Sequence, residues 1–120
     1  MATEGINISI SLLADADRSA AQFLAVKGSG TTAKTFTLAG NLEGGIGILQ
    51  DDPNAAGRAG KVMTYGLSKA LLGNTVTAWA SLTSDANAAL IPVAGGVHVA
   101  TALEGGVAGE YISVFVNGAL

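Results

Sequence analysis

Ile6-Asn7-Ile8-Ser9-Ile10-Ser11-Leu12-Leu13 alternates almost without fault. Ile6, Ile8, Ile10 and Leu12 share one side, while Asn7, Ser9 and Ser11 share the other. Period two with β-branched residues is the pattern of a half-buried strand. The rest of the chain repeats this grammar in shorter words. Phe23 to Lys27, Lys34 to Leu38 and Ile46 to Gln50 read as strands. Lys61 to Leu67 alternates again, with Met63, Tyr65 and Leu67 on one face and Val62 and Thr64 on the other. Within it, Gly66 marks a bulge or a close backbone approach. Thr75 to Leu82, with Val76, Ala78, Ala80 and Leu82 inward, is a weaker strand because Ala fits a pleated surface poorly. Val97 to Leu103 and Tyr111 to Val116 close the chain.

Between the strands lie turn residues. Asp15 to Ser19 forms a polar turn with room for one helical turn through Gln22. Gly28 to Thr32 is a glycine-rich loop, and Gly40 to Gly45 turns about Asn41. In Asp51-Asp52-Pro53-Asn54 the proline presets φ while Asp and Asn bond the local backbone. Gly73-Asn74 and Ser84-Asp85-Ala86-Asn87 punctuate the second half. Strand, Ala-Gly turn and strand recur twice, over Gly47 to Gly66 and over Ala100 to Phe115. No stretch keeps a 3.6-residue period. The expectation is an all-β fold: a small β-barrel or β-sandwich-like single domain with Gly-rich loops over 1–120. Residues 1–13 either dock as an N-terminal strand or arm on another protein or complete the domain's own barrel.

Composition narrows the function. Charged residues make up 12% of the 120, where a soluble domain carries about 25%. Hydrophobic residues are 49%, and the mean hydropathy is +0.47. Weakly polar surface of this kind more often faces another subunit. The net charge of −3 and the scattered Arg18, Lys27, Lys34, Arg58, Lys61 and Lys69 offer no cationic cluster for nucleic acid. No apolar run approaches the roughly 18 residues of a membrane-spanning helix. Met1-Ala2-Thr3-Glu4 lacks the basic start of a secretory signal.

Chemistry-bearing patterns are missing as well. There is no cysteine, and His98 is the sole histidine, too few ligands for a zinc site. Asp15/Asp17 and Asp51/Asp52 sit in turns and do not continue into a calcium-loop pattern. Gly57-Arg58-Ala59-Gly60-Lys61-Val62 fails as a phosphate loop. Ala55 stands where the first glycine belongs, and Val62 where Ser or Thr belongs. No serine lies in a nucleophile elbow, and little is present to activate a nucleophile. We therefore expect no enzyme, no cofactor, no metal, no nucleic acid and no membrane partner. The candidate interface residues are Ile6, Ile8, Ile10 and Leu12, together with Trp79, which either fills the core or anchors a contact.

Several stretches together resemble the bacteriophage capsid decoration, or head cement, proteins. Gly45-Ile46-Gly47-Ile48-Leu49-Gln50-Asp51-Asp52-Pro53 and Ala59-Gly60-Lys61-Val62-Met63-Thr64-Tyr65-Gly66 are similar to that family's strand, turn and strand. Leu82-Thr83-Ser84-Asp85-Ala86 resembles its L-T-S-D turn. Val99-Ala100-Thr101-Ala102-Leu103-Glu104 with Ala108-Gly109-Glu110 resembles its closing hairpin, with Ala100 where the family prefers Gly. Asp15-Ala16-Asp17-Arg18-Ser19-Ala20-Ala21-Gln22-Phe23 is similar to its acidic segment. The resemblance runs in order along nearly the whole chain. It implies a virion structural protein, often a homotrimer, bound to the major capsid protein on the outside of an assembled head, stiffening the shell. Its localisation would be the capsid exterior, with the host cytoplasm during assembly. The competing expectation is a small β-barrel ligand-binding or adhesion module without catalysis.

Overall fold

The computed structural model describes residues 7–93 and 97–117. Ile6, the first of the candidate interface residues, lies outside them. Among the described residues nine strands follow in chain order: β1 Ile8–Ala14, β2 Ala25–Gly28, β3 Thr35–Leu38, β4 Gly47–Leu49, β5 Ala59–Leu71, β6 Ser81–Ser84, β7 Leu90–Pro92, β8 Ala100–Ala102 and β9 Tyr111–Val116. The all-β expectation holds, and the architecture is more specific than a generic barrel or sandwich.

The first five strands close into a barrel. Their order is β1-β3-β2-β4-β5, and β5 pairs back onto β1. All the pairs are antiparallel except β1 with β3, which run parallel at Leu13↔Thr35 and Ala14↔Phe36. Ala14, Ala21, Val26, Phe36, Leu49 and Val62 fill the interior. Beyond the barrel, β5 continues as the first strand of a second sheet, β5-β9-β8-β6-β7. A parallel bridge between Leu72 and Leu90 brings that sheet's far edge back to the end of β5.

Two cores result, divided by β2 and β4. Neighbouring residues of these strands enter different cores: Val26 and Leu49 the barrel, Ala25 and Ile48 the larger cluster with Leu72, Leu82, Leu90, Val99, Val114 and Val116. All three residues of β4 are buried. Burial on both faces explains why Ile46 to Gln50 reads as a continuous apolar run without alternation. Ser84 ties the halves further. Its buried hydroxyl donates to Gly40 O at 2.6 Å and accepts from Gly44 N at 2.9 Å.

The long strand β5 serves both cores by changing phase. Val62 points into the barrel, whereas Met63 packs against the second core. Ala70 also enters the second core, an odd number of residues after Met63. Strict alternation forbids that. The register slips between Ile8 and Ser9, which face Tyr65 and Met63, so one extra residue is inserted on β5. Gly66, at φ 131°, completes the bend. A Cβ there would collide with Asn7.

Four local expectations need correction. Met63 does not share the face of Tyr65 and Leu67, because the extra residue on β5 falls between Met63 and Tyr65. Asp15 to Gln22 forms successive turns, not a helical turn. Asp17 Oδ1 accepts Ser19 N at 2.9 Å, and Arg18 O accepts Ala21 N at 3.0 Å. Over 75–82 only Ser81 onward is strand: Val76 makes one bridge to Gly106, and Trp79 at φ 70° breaks the extension. The strand expected over Val97 to Leu103 shrinks to Ala100–Ala102.

Candidate interaction surface

The face of β1 that carries Ile8, Ile10 and Leu12 runs out of the barrel by degrees. Ala14 is buried and Leu12 half-buried, while Ile10 and Ile8 are 42% and 46% exposed. The backbone of β1 is nonetheless part of the barrel wall, paired with β5 from Ile8 to Leu13. An open groove of about 520 Å³ lies beside it, floored by Ile10, Leu12 and Ile46. Ser29, Thr31, Thr32 and Thr35 line its other side, with Lys34 the one charged lining residue among the described residues. The β2–β3 loop keeps its shape through the Ser29 hydroxyl, which donates to Thr32 O and accepts from Thr32 N, both at 3.0 Å.

A second apolar area surrounds the seam where β1 and β9 meet along β5. Ile8 faces Tyr65, and Val116 faces Gly66, the next residue. The Tyr65 ring meets Phe115 edge-on at 5.1 Å, a favourable aromatic geometry. Leu67 pairs with Phe115 and is 54% exposed; Tyr111, at the other end of β9, is 55% exposed and packs edge-on against Phe23. Sequence reasoning missed Leu67, Tyr111 and Phe115 as surface residues. The alternation of Tyr111-Ile112-Ser113-Val114-Phe115-Val116 carried the signal, since Ile112, Val114 and Val116 are the buried set.

Trp79 stands apart from β1. It projects from the turn before β6, 71% exposed, with its backbone N–H donated to Ala102 O at 2.7 Å. The core reading of this residue is thereby ruled out; it is a surface aromatic.

The charged groups are spread thinly, and several are occupied locally. Arg18 grips Asp15 through two hydrogen bonds of 2.9 Å. That grip, with a smaller contribution from Thr37, holds the Asp15 carboxyl below its ordinary value against the opposing effect of burial. Asp17 is lowered by the Ser19 backbone N–H and hydroxyl, and Glu43 by Lys27 at 2.7 Å and the Gly40 N–H at 2.6 Å. Asp51 accepts Lys61 N at 3.1 Å, a turn role. His98 is half-buried, with Nε2 2.7 Å from Asn117 Oδ1, and Asn117 in turn meets Thr101. Among the described residues no three His, Asp or Glu side chains converge as a metal site.

Fold and surface thus define a two-core β protein that presents apolar strand faces and an exposed tryptophan. No protein-family model and no curated protein matches the chain. Among solved structures it is similar to the head fiber gp8.5 N base of bacteriophage phi29. The likeness has a TM-score of 0.68 and 16% identity, and covers 93% of this chain and 95% of that one. At that identity the likeness establishes a shared fold.

Proposed function

We propose that this chain is a phage virion structural protein that binds the outer surface of an assembled head and stabilises the shell through protein–protein contacts. The observation that carries the reading is the end-to-end fold likeness to a head-fiber base, 95% of which this chain covers. The low charge content supports it, as do the exposed Ile8, Ile10 and Trp79. Large apolar and aromatic side chains at the surface are the usual anchors of protein contacts. The partners in this reading are the major capsid protein and further copies of this chain. The trimer is the copy number implied by the resemblance to decoration proteins. The protein acts on the capsid exterior after assembly in the host cytoplasm, and it needs no catalysis.

The test is cosedimentation of the purified protein with phage heads that lack it, followed by heating of the decorated and bare heads. Saturable binding and a higher disruption temperature are expected; heads that neither bind the protein nor gain stability would refute the proposal. Ile8→Lys refines the test. Because Ile8 is nearly half exposed, the substitution should leave folding stability within about 1 kcal/mol. Binding to heads should fall at least tenfold. Normal binding by the folded variant would remove Ile8 from the interface.

A further inference from the structure

Among the described residues one edge of β1 is left open, and its chemistry specifies what can cover it. Hydrogen-bonding groups of successive strand residues point to alternate edges. Here the even positions face β5: Ala14 N donates to Arg58 O at 2.8 Å, and Ile8 O accepts the Thr64 hydroxyl at 3.0 Å. The odd positions face the other way. Leu13 N donates to Lys34 O at 2.8 Å, and Asp15 N to Phe36 O at 3.2 Å, both toward β3. But β3 begins at Thr35, opposite Leu13. By this alternation the N–H and C=O groups of Ser9 and Ser11 point to an edge with no strand on it among the described residues, and both residues are exposed. The groove of about 520 Å³ lies along this stretch, between Ile10 and Leu12 on one side and the β2–β3 loop on the other.

Proteins protect such edges with charge, proline or a bulge on the open side. From Gly5 to Ala14 there is no charged residue and no proline. The slip beside Ile8 lies on the β5 side. The geometry points to an acceptor site for an extended segment of a head subunit, which adds as a strand beside Ser9 and Ser11 in line with β3. The inference rests on the proposed head-binding function and deepens it. Backbone pairing to Ser9 and Ser11 supplies the register, and alternate apolar side chains of the guest settle on Ile10, Leu12 and Ile46. Lys34, in no ion pair among the described residues, complements a carboxylate on the guest where the groove meets the loop.

Ser11→Pro is the direct test. Proline removes an N–H that the barrel does not use, a tolerated position on an edge strand. The melting temperature should hold within a few degrees while binding to heads falls at least tenfold. Ile10→Pro removes an N–H directed at β5 and should lower the melting temperature sharply. Hydrogen exchange gives an independent measure: the Ser9 and Ser11 amides of the wild-type protein should slow at least tenfold on heads. If Ser11→Pro fails to fold, this exchange result decides alone. Lys34→Glu should also weaken binding, and the wild-type affinity should fall with salt. Wild-type binding to heads with unchanged Ser9 and Ser11 exchange, or full binding by folded Ser11→Pro, would overturn the strand site and leave the head-binding function standing. Failure of the wild type to bind heads would overturn both. Self-association abolished by Ser11→Pro, with head binding intact, would assign the edge to a second copy and overturn the head-subunit assignment.

Discussion

Trp79 carries the clearest residue-level cost without a structural return. Its backbone sits at φ 70°, where a side chain crowds the following carbonyl, and its ring is mostly in water. The left-handed conformation costs about 1 kcal/mol for such a residue. Trp79→Gly should therefore raise stability by about 1 kcal/mol, an increase of roughly 4 °C in a thermal melt. The same variant should bind heads more weakly if the ring anchors a contact; a lower melting temperature would show that the ring packs on its own domain. Asp15 makes a different residue-level case, in pH. Arg18 lowers its carboxyl value in the folded protein, so the native state binds fewer protons in acid than the unfolded chain. The pair's contribution is full above the ordinary value of 3.8 and is lost as pH falls through the lowered one. For a partly exposed pair the contribution is about 0.5 kcal/mol. Asp15→Asn should be less stable than wild type by about that amount at pH 7, and the two denaturation curves should converge in strong acid. A constant gap across pH would mean that the carboxylate's charge is not what stabilises this turn.

At the scale of elements, β5 holds the fold's main decision, and Gly66 makes it possible. An alanine there must adopt φ 131° and displace Asn7, whose side-chain oxygen accepts Leu67 N at 3.1 Å. Gly66→Ala should cost about 3 kcal/mol in chemical denaturation. Gly28 on β2 has open space around its missing Cβ and no positive φ, so Gly28→Ala should be neutral or gain about 0.5 kcal/mol. Equal effects would mean that the bulge is not under strain. The sequence displayed this glycine as an interruption of an alternating run, and that was legible. It did not display the consequence, since a phase change is visible only when both cores are known. Strand existence was legible wherever one face is wet, as in β1 and β9. Legibility failed where local backbone overrides pattern. Trp79 ends an apparent strand by turning left-handed, which no periodicity announces. The three residues of β7, Leu90-Ile91-Pro92, are too few to alternate and end in proline. The exposed Ile8 and Ile10 were legible as an apolar row, but whether the row faced core or water depended on how far β1 overruns β3.

For the whole molecule, the question is whether two cores make two folding units. They share β5 end to end, and β2 and β4 form the wall between them. In each of these wall strands adjacent side chains serve opposite cores. Such a wall has no stable existence without both fillings: lose the barrel interior, and Ala25 and Ile48 lose the strands that hold them against the second core. Ser84 adds a polar tie across the same boundary. The halves should therefore unfold together. Leu49→Ala empties part of the barrel core only and should cost about 3 kcal/mol. Its effect should nonetheless appear at full size in the second sheet. Native-state hydrogen exchange checks this at two amides, Val26 in the barrel wall and Val114 in the middle of β9. Under cooperative unfolding both lose the same protection free energy in the variant. Loss at Val26 with Val114 unchanged would show that the second sheet survives alone, and that the shared strands are a seam between separate units.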